Sequence, residues 1–155
     1  MTDAGGGRVD DANISDDERL FRRIANAASA DMITTDPATG TRAPSSGVFK
    51  STDDDGLSVY LDSVLTEAGL GPGDLLRAPN NAVCSVAAGT ARENELGVIW
   101  DPWPIDADDP GHPRHAAHGL VTGMNQLSSK AARRVARSLA RSAAMVIDPG
   151  AAGPL

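Results

Sequence analysis

The stretch from Ala82 to Pro104 constrains the fold more strongly than any other part of the chain, because each of its pieces has a defined start or stop. Its first six residues, up to Ala87, form an apolar run typical of a buried strand. A short helix is then predicted from Thr90, whose hydroxyl begins a capping box that Glu93 completes. Gly97 is expected to end that helix in the left-handed conformation. A second apolar strand follows and ends at an Asp-Pro pair.

The segments before this stretch predict further strands and short helices. Alternating apolar and polar residues over Leu57–Leu61 indicate a half-buried strand, which would pair as a hairpin with Val48–Lys50 across an Asp-Gly turn. Residues 61–70 have the spacing of a short helix. The apolar residues around Leu20 fit either a capped helix or an edge strand. Residues 30–46, rich in turn dipeptides, are predicted to form a loop.

The C-terminal part of the chain is predicted to contain the last strand and one longer helix. Residues 119–123 form an apolar segment bracketed by glycines. The helix is expected to begin after Ser128 or Ser129 and to run to about residue 147. One core-facing stripe recurs at every fourth position along it: Ala131, Val135, Leu139 and Ala143.

A chain of 155 residues is long enough for one domain with a sizeable core. We predict an α+β fold in which a C-terminal helix packs on a small mixed sheet with other short helices. Residues 16–148 would form this domain, after an acidic disordered tail at residues 1–15 and before a loose tail at residues 149–155. Aromatic residues make up only 3% of the composition, so alanine and valine must fill much of the core.

Charge is unevenly distributed along the chain, whose formal net charge is -7. Residues 128–155 carry five Lys and Arg side chains and one Asp, whereas the segments before them are acidic. An acidic body repels phosphates, so nucleic-acid binding is not expected. The basic C-terminal helix is a candidate surface for a protein partner. A solvated basic face near the acidic half of the chain is the plainer alternative.

Several features favour a cytoplasmic location. No apolar run approaches the roughly 20 residues that cross a bilayer, so no membrane partner is expected. The N-terminus lacks the basic and apolar regions of a signal peptide. Cys84 is the one cysteine, so no disulfide forms within the chain, and its apolar neighbours indicate a small buried side chain rather than a reactive thiol. The oligomeric state is left open.

Three histidines lie close together in the sequence: His112, His115 and His118. Imidazoles at such spacing suit zinc, nickel or copper. Pro113 interrupts the group and no second cysteine is present, so we predict loop histidines rather than a metal site, and no cofactor is predicted. His118 directly precedes the predicted last strand. Its ring titrates near neutral pH and would act either as an acid or base or as a structural hydrogen-bond partner.

Other polar residues next to apolar strands form a second group of candidates. Ser58 and Arg22 join His118 as candidate catalytic residues. Guanidinium and ammonium groups, together with hydroxyls, are the groups that bind a phosphate or carboxylate. Four candidate ligand-binding residues carry such groups: Arg23, Ser45, Ser46 and Lys50. The sequence contains no nucleophile elbow, Walker loop or dinucleotide glycine motif.

Five short pieces follow one another in a particular order along the chain. They are LFRRI at 20–24, SSGVFK at 45–50, LSV at 57–59, DPWP at 101–104 and HGLVTG at 118–123. This order resembles a family of small uncharacterised bacterial proteins, over about residues 19–145. The chain departs from the family pattern in the long insertion before His118 and in Gly119, where the family more often has alanine. The resemblance implies no activity, and it singles out the candidate Arg, Ser, Lys and His residues as positions to test.

Two functions follow from these features. The first is a non-enzymatic interaction or accessory module of a larger bacterial system, favoured by small size, few aromatics and segregated charge. The second is a small enzyme or ligand-binding domain for a phosphate-bearing or nucleotide-like ligand, using Arg22, Ser58 and His118. An ADP-ribosyltransferase-like version of the second would require a late glutamate, and no glutamate follows Glu95.

Overall fold

Six strands form one antiparallel sheet at the centre of the structure, a computed structural model that describes residues 9–50, 56–102 and 113–151. The described strands are β1 (Arg19–Ile24), β2 (Ile33–Thr35), β3 (Arg42–Pro44), β4 (Leu57–Leu61), β5 (Ala82–Ala87), β6 (Gly97–Trp100), β7 (His118–Thr122) and β8 (Ala144–Ile147). The described α-helices are α1 (Asp62–Glu67), α2 (Ala88–Glu93) and α3 (Ser129–Ser142). Short 3-10 helices occupy Ser46–Phe49, Pro72–Leu75, Pro113–Ala117, Met124–Gln126 and Pro149–Ala151.

The order of the strands in the sheet is β6-β7-β4-β1-β5-β8, and β2 and β3 form a separate hairpin. The predicted α+β class is confirmed, but every neighbouring pair in the sheet is antiparallel, so the sheet is not mixed. Strands β5 and β6 run in the same direction without pairing, because β1, β4 and β7 lie between them. The strand–helix–strand unit therefore spans the sheet instead of forming two parallel neighbours.

Both faces of the sheet are covered, and successive side chains of a strand point to opposite faces. One face, called the α3 face below, carries Leu20 and Val59 in the same buried cluster as Leu139 of α3. The opposite face, called the α1 face, carries Phe21 and Tyr60 in a buried cluster with Leu65 of α1. The alternation along β1 and β4 therefore assigns every polar residue of these strands to one face or the other.

The helix α2 begins earlier than the sequence indicates. It starts at Ala88, so Thr90 lies inside it, and its N-terminus has no side-chain cap. The free N–H groups of its first turn instead donate to backbone carbonyls of the segment before β1: Ala88 N to Glu18 O at 2.9 Å and Gly89 N to Asp16 O at 2.9 Å. The predicted capping box is therefore wrong, because tertiary contacts supply the acceptors.

The end of α2 also differs from its prediction. The residue with positive φ is Glu95, at 65°, and Gly97 is the first residue of β6. Gly97 is needed there for another reason: a Cβ would come within 2.0 Å of the carbonyl oxygen of Val9. The glycine thus permits a close backbone approach rather than a helix stop.

Strand pairing decides the outcome of three predictions for the segments that precede β5. The segment around Leu20 is a strand, β1, which pairs with both β4 and β5. Val48–Lys50 does not pair with β4, because β1 and β7 already occupy both edges of β4; Val48 lies in a 3-10 helix instead. Residues 30–46 are not all loop, since they contain the β2–β3 hairpin. The predicted Asp-Gly turn falls largely in residues 51–55, outside the described residues.

The C-terminal helix is shorter than predicted, and β7 is not the last strand. The helix α3 ends at Ser142, and Ala144–Ile147 forms β8 on the free edge of β5. The predicted apolar stripe is present in part, since Val135 and Leu139 are buried. Without β8, the outer edge of β5 would present unpaired N–H and C=O groups. Pairing of β8 with β5 satisfies these groups, which would stay unpaired if α3 continued through residues 144–147.

The segment just before residue 16 is packed against the sheet. The amide of Asp11 donates to Val98 O at 2.8 Å, the carboxylate of Asp10 accepts from Val98 N at 2.9 Å, and Ile14 is buried. These residues cover the outer edge of β6. Part of the predicted N-terminal tail is thus integrated into the fold, while residues 1–8 and 152–155 lie outside the described residues.

Cys84 lies in the core of β5 with 0% exposure, as its apolar neighbours predict. Burial raises the pKa of its thiol to about 12, so the reactive thiolate is strongly disfavoured. Within the described residues, no helix is long and apolar enough to span a membrane.

Of the two serines predicted as caps, Ser128 is the one that caps α3, by accepting a hydrogen bond from Ala131 N at 3.1 Å. We expect Ser128→Ala to lower the free energy of unfolding by about 1 kcal/mol, because the N–H group loses its acceptor. Ser129→Ala, one residue further on at an exposed position, is the matched control and should change it by less than about 0.5 kcal/mol. Urea denaturation measures both, and equal losses in the two variants would contradict this role for Ser128.

Candidate functional site

A hydroxyl, an imidazole and an aspartate form a continuous hydrogen-bonded chain on the α1 face of the sheet. The Oγ of Ser58 lies 2.7 Å from Nε2 of His118. The Nδ1 of His118 lies 2.8 Å from the backbone oxygen of Asp101 and 3.4 Å from its carboxylate Oδ2. Nucleophilic enzymes that use a serine, a histidine and an aspartate connect these residues in the same order, with the carboxylate as the acceptor. Here the acceptor is the backbone oxygen of Asp101, and its carboxylate lies farther from Nδ1.

Strand pairing brings the three residues together from separate parts of the chain. In the β4–β7 register, Tyr60 is opposite His118 and Ser58 is opposite Leu120. Ser58 and His118 are therefore diagonal neighbours on one face. Asp101 directly follows β6, and its amide donates to the carbonyl of His118 at 2.9 Å. The ladder itself thus fixes the positions of all three.

The acceptor at Nδ1 determines which nitrogen of the neutral His118 ring carries the proton. A backbone carbonyl only accepts hydrogen bonds, so Nδ1 must be the protonated nitrogen that donates to Asp101. The lone pair on Nε2 then accepts the hydrogen bond from the Ser58 hydroxyl. This is the tautomer in which an imidazole is able to remove a proton from a serine.

His118 is only 1% exposed. Burial lowers its pKa below the ordinary histidine value, and this effect outweighs the opposing influence of Asp101. Nearby His115 lowers the pKa further. The ring of Tyr60 packs edge-on against the imidazole, with centroids 5.7 Å apart. The ring of His118 is therefore neutral and tightly held at neutral pH.

Basic residues share the α1 face with Ser58. Arg23 is opposite Val83 in the β1–β5 register, and Val83 belongs to the buried cluster of this face. Arg114 and His115 are buried in the 3-10 helix that leads into β7. The surroundings of Ser58 therefore contain cationic and imidazole groups, which favour an anionic ligand.

Arg22 does not share a face with Ser58 and His118. It follows Phe21 on β1, so its side chain lies on the α3 face. There its Nε donates to Val48 O at 2.6 Å and its Nη1 donates to Ser58 O at 2.7 Å. The expected convergence of the three candidate catalytic residues on one pocket is therefore wrong for Arg22, which clamps a 3-10 helix to the backbone of β4.

Like the side chain of Arg22, the remaining candidate ligand-binding residues lie on the α3 side of the sheet, away from the Ser58 hydroxyl. Ser45 caps the 3-10 helix Ser46–Phe49 by accepting from Gly47 N at 3.1 Å, and its hydroxyl donates to Asp31 O. Ser46 is half-buried in that helix and Lys50 is exposed just beyond it. Since this helix packs against α3, these residues belong to the opposite side of the sheet and support its structure.

The sequence reasoning missed Asp101, which it interpreted only as part of a turn that ends a strand. Trp100 is opposite Gly119 in the β6–β7 register, so the next residue along β6 lies beside His118. A correct prediction that β6 pairs with β7 in this register would have identified Asp101 as a neighbour of His118. His115, predicted to be a loop histidine, lies in a 3-10 helix and is 3% exposed, as is its neighbour Arg114.

Within the described residues, no group of three or more His, Cys, Asp or Glu side chains could hold a metal ion. His112 lies outside the described residues, so only His115 and His118 of the three histidines are described. Three open grooves lined by described residues lie elsewhere on the surface; the largest runs past Arg42 and Asp148. No protein-family model, curated protein or solved structure matches the chain.

We expect Arg22→Lys to lower the free energy of unfolding by about 1–3 kcal/mol. The single ammonium group of lysine cannot replace a guanidinium group that donates to two separate carbonyls. Arg19→Lys, at an exposed position of the same strand, is the control and should change it by less than about 0.5 kcal/mol. Urea denaturation distinguishes them. A stability of Arg22→Lys equal to that of the unmodified protein would rule out the clamp.

Acid should destabilise the protein through His118. Its pKa is lowered in the folded state, so between that value and about 6.5 the unfolded chain binds the extra proton. The free energy of unfolding is expected to fall by up to about 1.4 kcal/mol per pH unit in this range. His118→Gln should lack this contribution. Denaturation curves at pH 7.5 to 5 test it, and identical slopes for both proteins would contradict the assignment.

Proposed function

We propose that the chain is a small enzyme for a phosphate-bearing ligand, in which Ser58 is the nucleophile and His118 its general base. The observation that supports this most directly is the 2.7 Å contact between Ser58 Oγ and His118 Nε2. The tautomer set by Asp101 leaves Nε2 free of a proton, as a general base requires. This function corresponds to the enzyme interpretation of the sequence, with Asp101 added and Arg22 reassigned to structure.

The chemistry follows from the order of the three groups. The Ser58 oxygen attacks phosphorus, its proton passes to Nε2, and a bond from phosphorus to Oγ forms as the bond to the leaving group breaks. The leaving group departs on the side of phosphorus opposite Oγ and takes its proton from water. The Asp101 carboxylate, 3.4 Å from Nδ1, stabilises the transient imidazolium. Water that attacks phosphorus from the side opposite Oγ would then break the bond between phosphorus and Oγ and release phosphate, and the imidazolium would return its proton to Oγ and regenerate the hydroxyl.

The phosphate assignment rests on charge. A transferring phosphoryl group is stabilised by nearby cations, and Arg23 lies on the same face as Ser58. The buried residues of the 3-10 helix before β7 add a second arginine, Arg114. A neutral acyl group would gain less from these surroundings.

A fluorophosphonate reagent tests the nucleophile, since an activated serine displaces its fluoride and retains the phosphonyl group. We expect mass spectrometry of the digested protein to find the adduct on Ser58, and Ser58→Ala to abolish it. The matched control is Ser142→Ala, at an exposed position at the end of α3, which should leave labelling unchanged. Inorganic phosphate at millimolar concentration should slow the reaction by occupying the same site.

The base is tested through the rate of labelling. His118→Gln should react about 100-fold more slowly, because the proton loses its acceptor. In the unmodified protein the rate should fall only when the pH reaches the lowered pKa of His118, below the ordinary histidine value, because the protonated ring cannot accept the proton. The pH profile remains informative even if His118→Gln fails to fold. A folded protein with no adduct on Ser58, or a rate that does not change between pH 8 and 5, would overturn the proposal.

A further inference from the structure

Five exposed cations form a stripe along α3, defined as Lys130, Arg133, Arg134, Arg137 and Arg141. At 3.6 residues per turn, four of them lie within an arc of about 60°, and Arg133 lies beside them. The buried residues Val135 and Leu139 face the opposite direction, toward the sheet. The stripe therefore points directly away from the core and is about 17 Å long.

Among the described residues, no ion pair joins the stripe to the rest of the fold. Among residues 9–50, 56–102 and 113–151, the recorded ion pairs involve Arg42, Arg92 and His118, and none involves α3. The helix itself contains no acidic residue. Its cations therefore repel one another at spacings of three and four, and Lys130 lies at the end of the helix where the dipole disfavours positive charge. The arrangement lowers the stability of the isolated helix.

We propose that this stripe is a docking surface for an acidic helical segment of a partner protein. Carboxylates at positions i, i+4, i+7 and i+11 of such a segment would face the four aligned cations. Four of the five residues of the stripe are arginines, whose forked guanidinium groups pair with carboxylates in two-point contacts. Docking would also relieve the repulsion within α3.

Charge favours a peptide over a nucleic acid as the occupant. The stripe is one helix wide, and the whole chain has a net charge of -7. A duplex presents phosphates over a much wider area, so those beyond the stripe would meet an acidic protein surface. A single acidic helix presents its charge only to the stripe. The proposal is independent of the chemistry of Ser58, and it develops the accessory-module interpretation of the sequence.

Fluorescence anisotropy of the full chain with a labelled synthetic helical peptide tests the proposal. The peptide carries glutamate at i, i+4, i+7 and i+11, and a scrambled peptide of equal composition is its control. We expect the patterned peptide to bind at least several-fold more tightly at 50 mM salt, with weaker binding at higher salt. A duplex DNA of 20 base pairs and vesicles containing phosphatidylserine should bind more weakly than the patterned peptide.

Two double variants with equal change of charge locate the contact. Arg134→Gln/Arg137→Gln should weaken peptide binding about tenfold. Arg19→Gln/Arg77→Gln, at exposed positions away from α3, should weaken it by less than about twofold. Circular dichroism establishes that both are folded. Equal affinities for patterned and scrambled peptides, tighter binding of DNA or vesicles, or equal effects of the two double variants would each overturn the proposal.

Discussion

The pairing of β4 between β1 and β7 is the constraint on which most of the structure depends. It fixes which residues of three strands share a face, because side chains alternate strictly along each strand. Through this pairing Ser58 lies beside His118, and Arg22 is directed to the other side of the sheet. A shift of one residue in the β4–β7 register would place the hydroxyl and the imidazole on opposite faces. A shift of one residue in the β1–β4 register would instead bring Arg22 to the face of Ser58.

The polar residues near β4 divide into two groups with different physical roles. On the α3 face, Arg22 and Ser45 satisfy backbone groups and hold a 3-10 helix to the sheet. On the α1 face, Ser58, His118 and Asp101 connect to one another. In the first group, Arg22 donates to two backbone carbonyls and Ser45 accepts from a backbone amide, so these side chains satisfy main-chain groups. The second group retains a hydroxyl aligned with a neutral base, which is why chemistry is proposed there.

The distribution of charge follows a similar division. The acidic segment before β1 is tied down by Arg92, whose guanidinium pairs with Asp10 at 3.0 Å and Asp16 at 2.7 Å. Part of the acidic half is therefore paired within the fold. The basic residues of α3 instead remain on an exposed face, since the apolar stripe of the helix already determines which side is buried.

Local sequence signals determined the pieces that depend only on their own residues. Alternation and apolar runs identified β4 and β5, and the cap of α3 was narrowed to Ser128 or Ser129, of which Ser128 is the cap. Cys84 was expected to be buried because it lies in a mostly apolar run. The candidate residues Ser58 and His118 were also chosen from the sequence. Each of these features follows from periodicity or from a cap within a few residues.

The tertiary structure decided what depends on partners distant in the sequence. The cap of α2 comes from carbonyls about 70 residues earlier in the chain, and the last residues of the predicted helix form β8 because β5 offers a free edge. Asp101 became part of the site only through strand pairing. The stretch from 82 to 104 thus predicted its own strands. The boundaries of its helix and the role of Asp101 depend on backbone groups elsewhere in the chain, and no local sequence pattern can specify those groups.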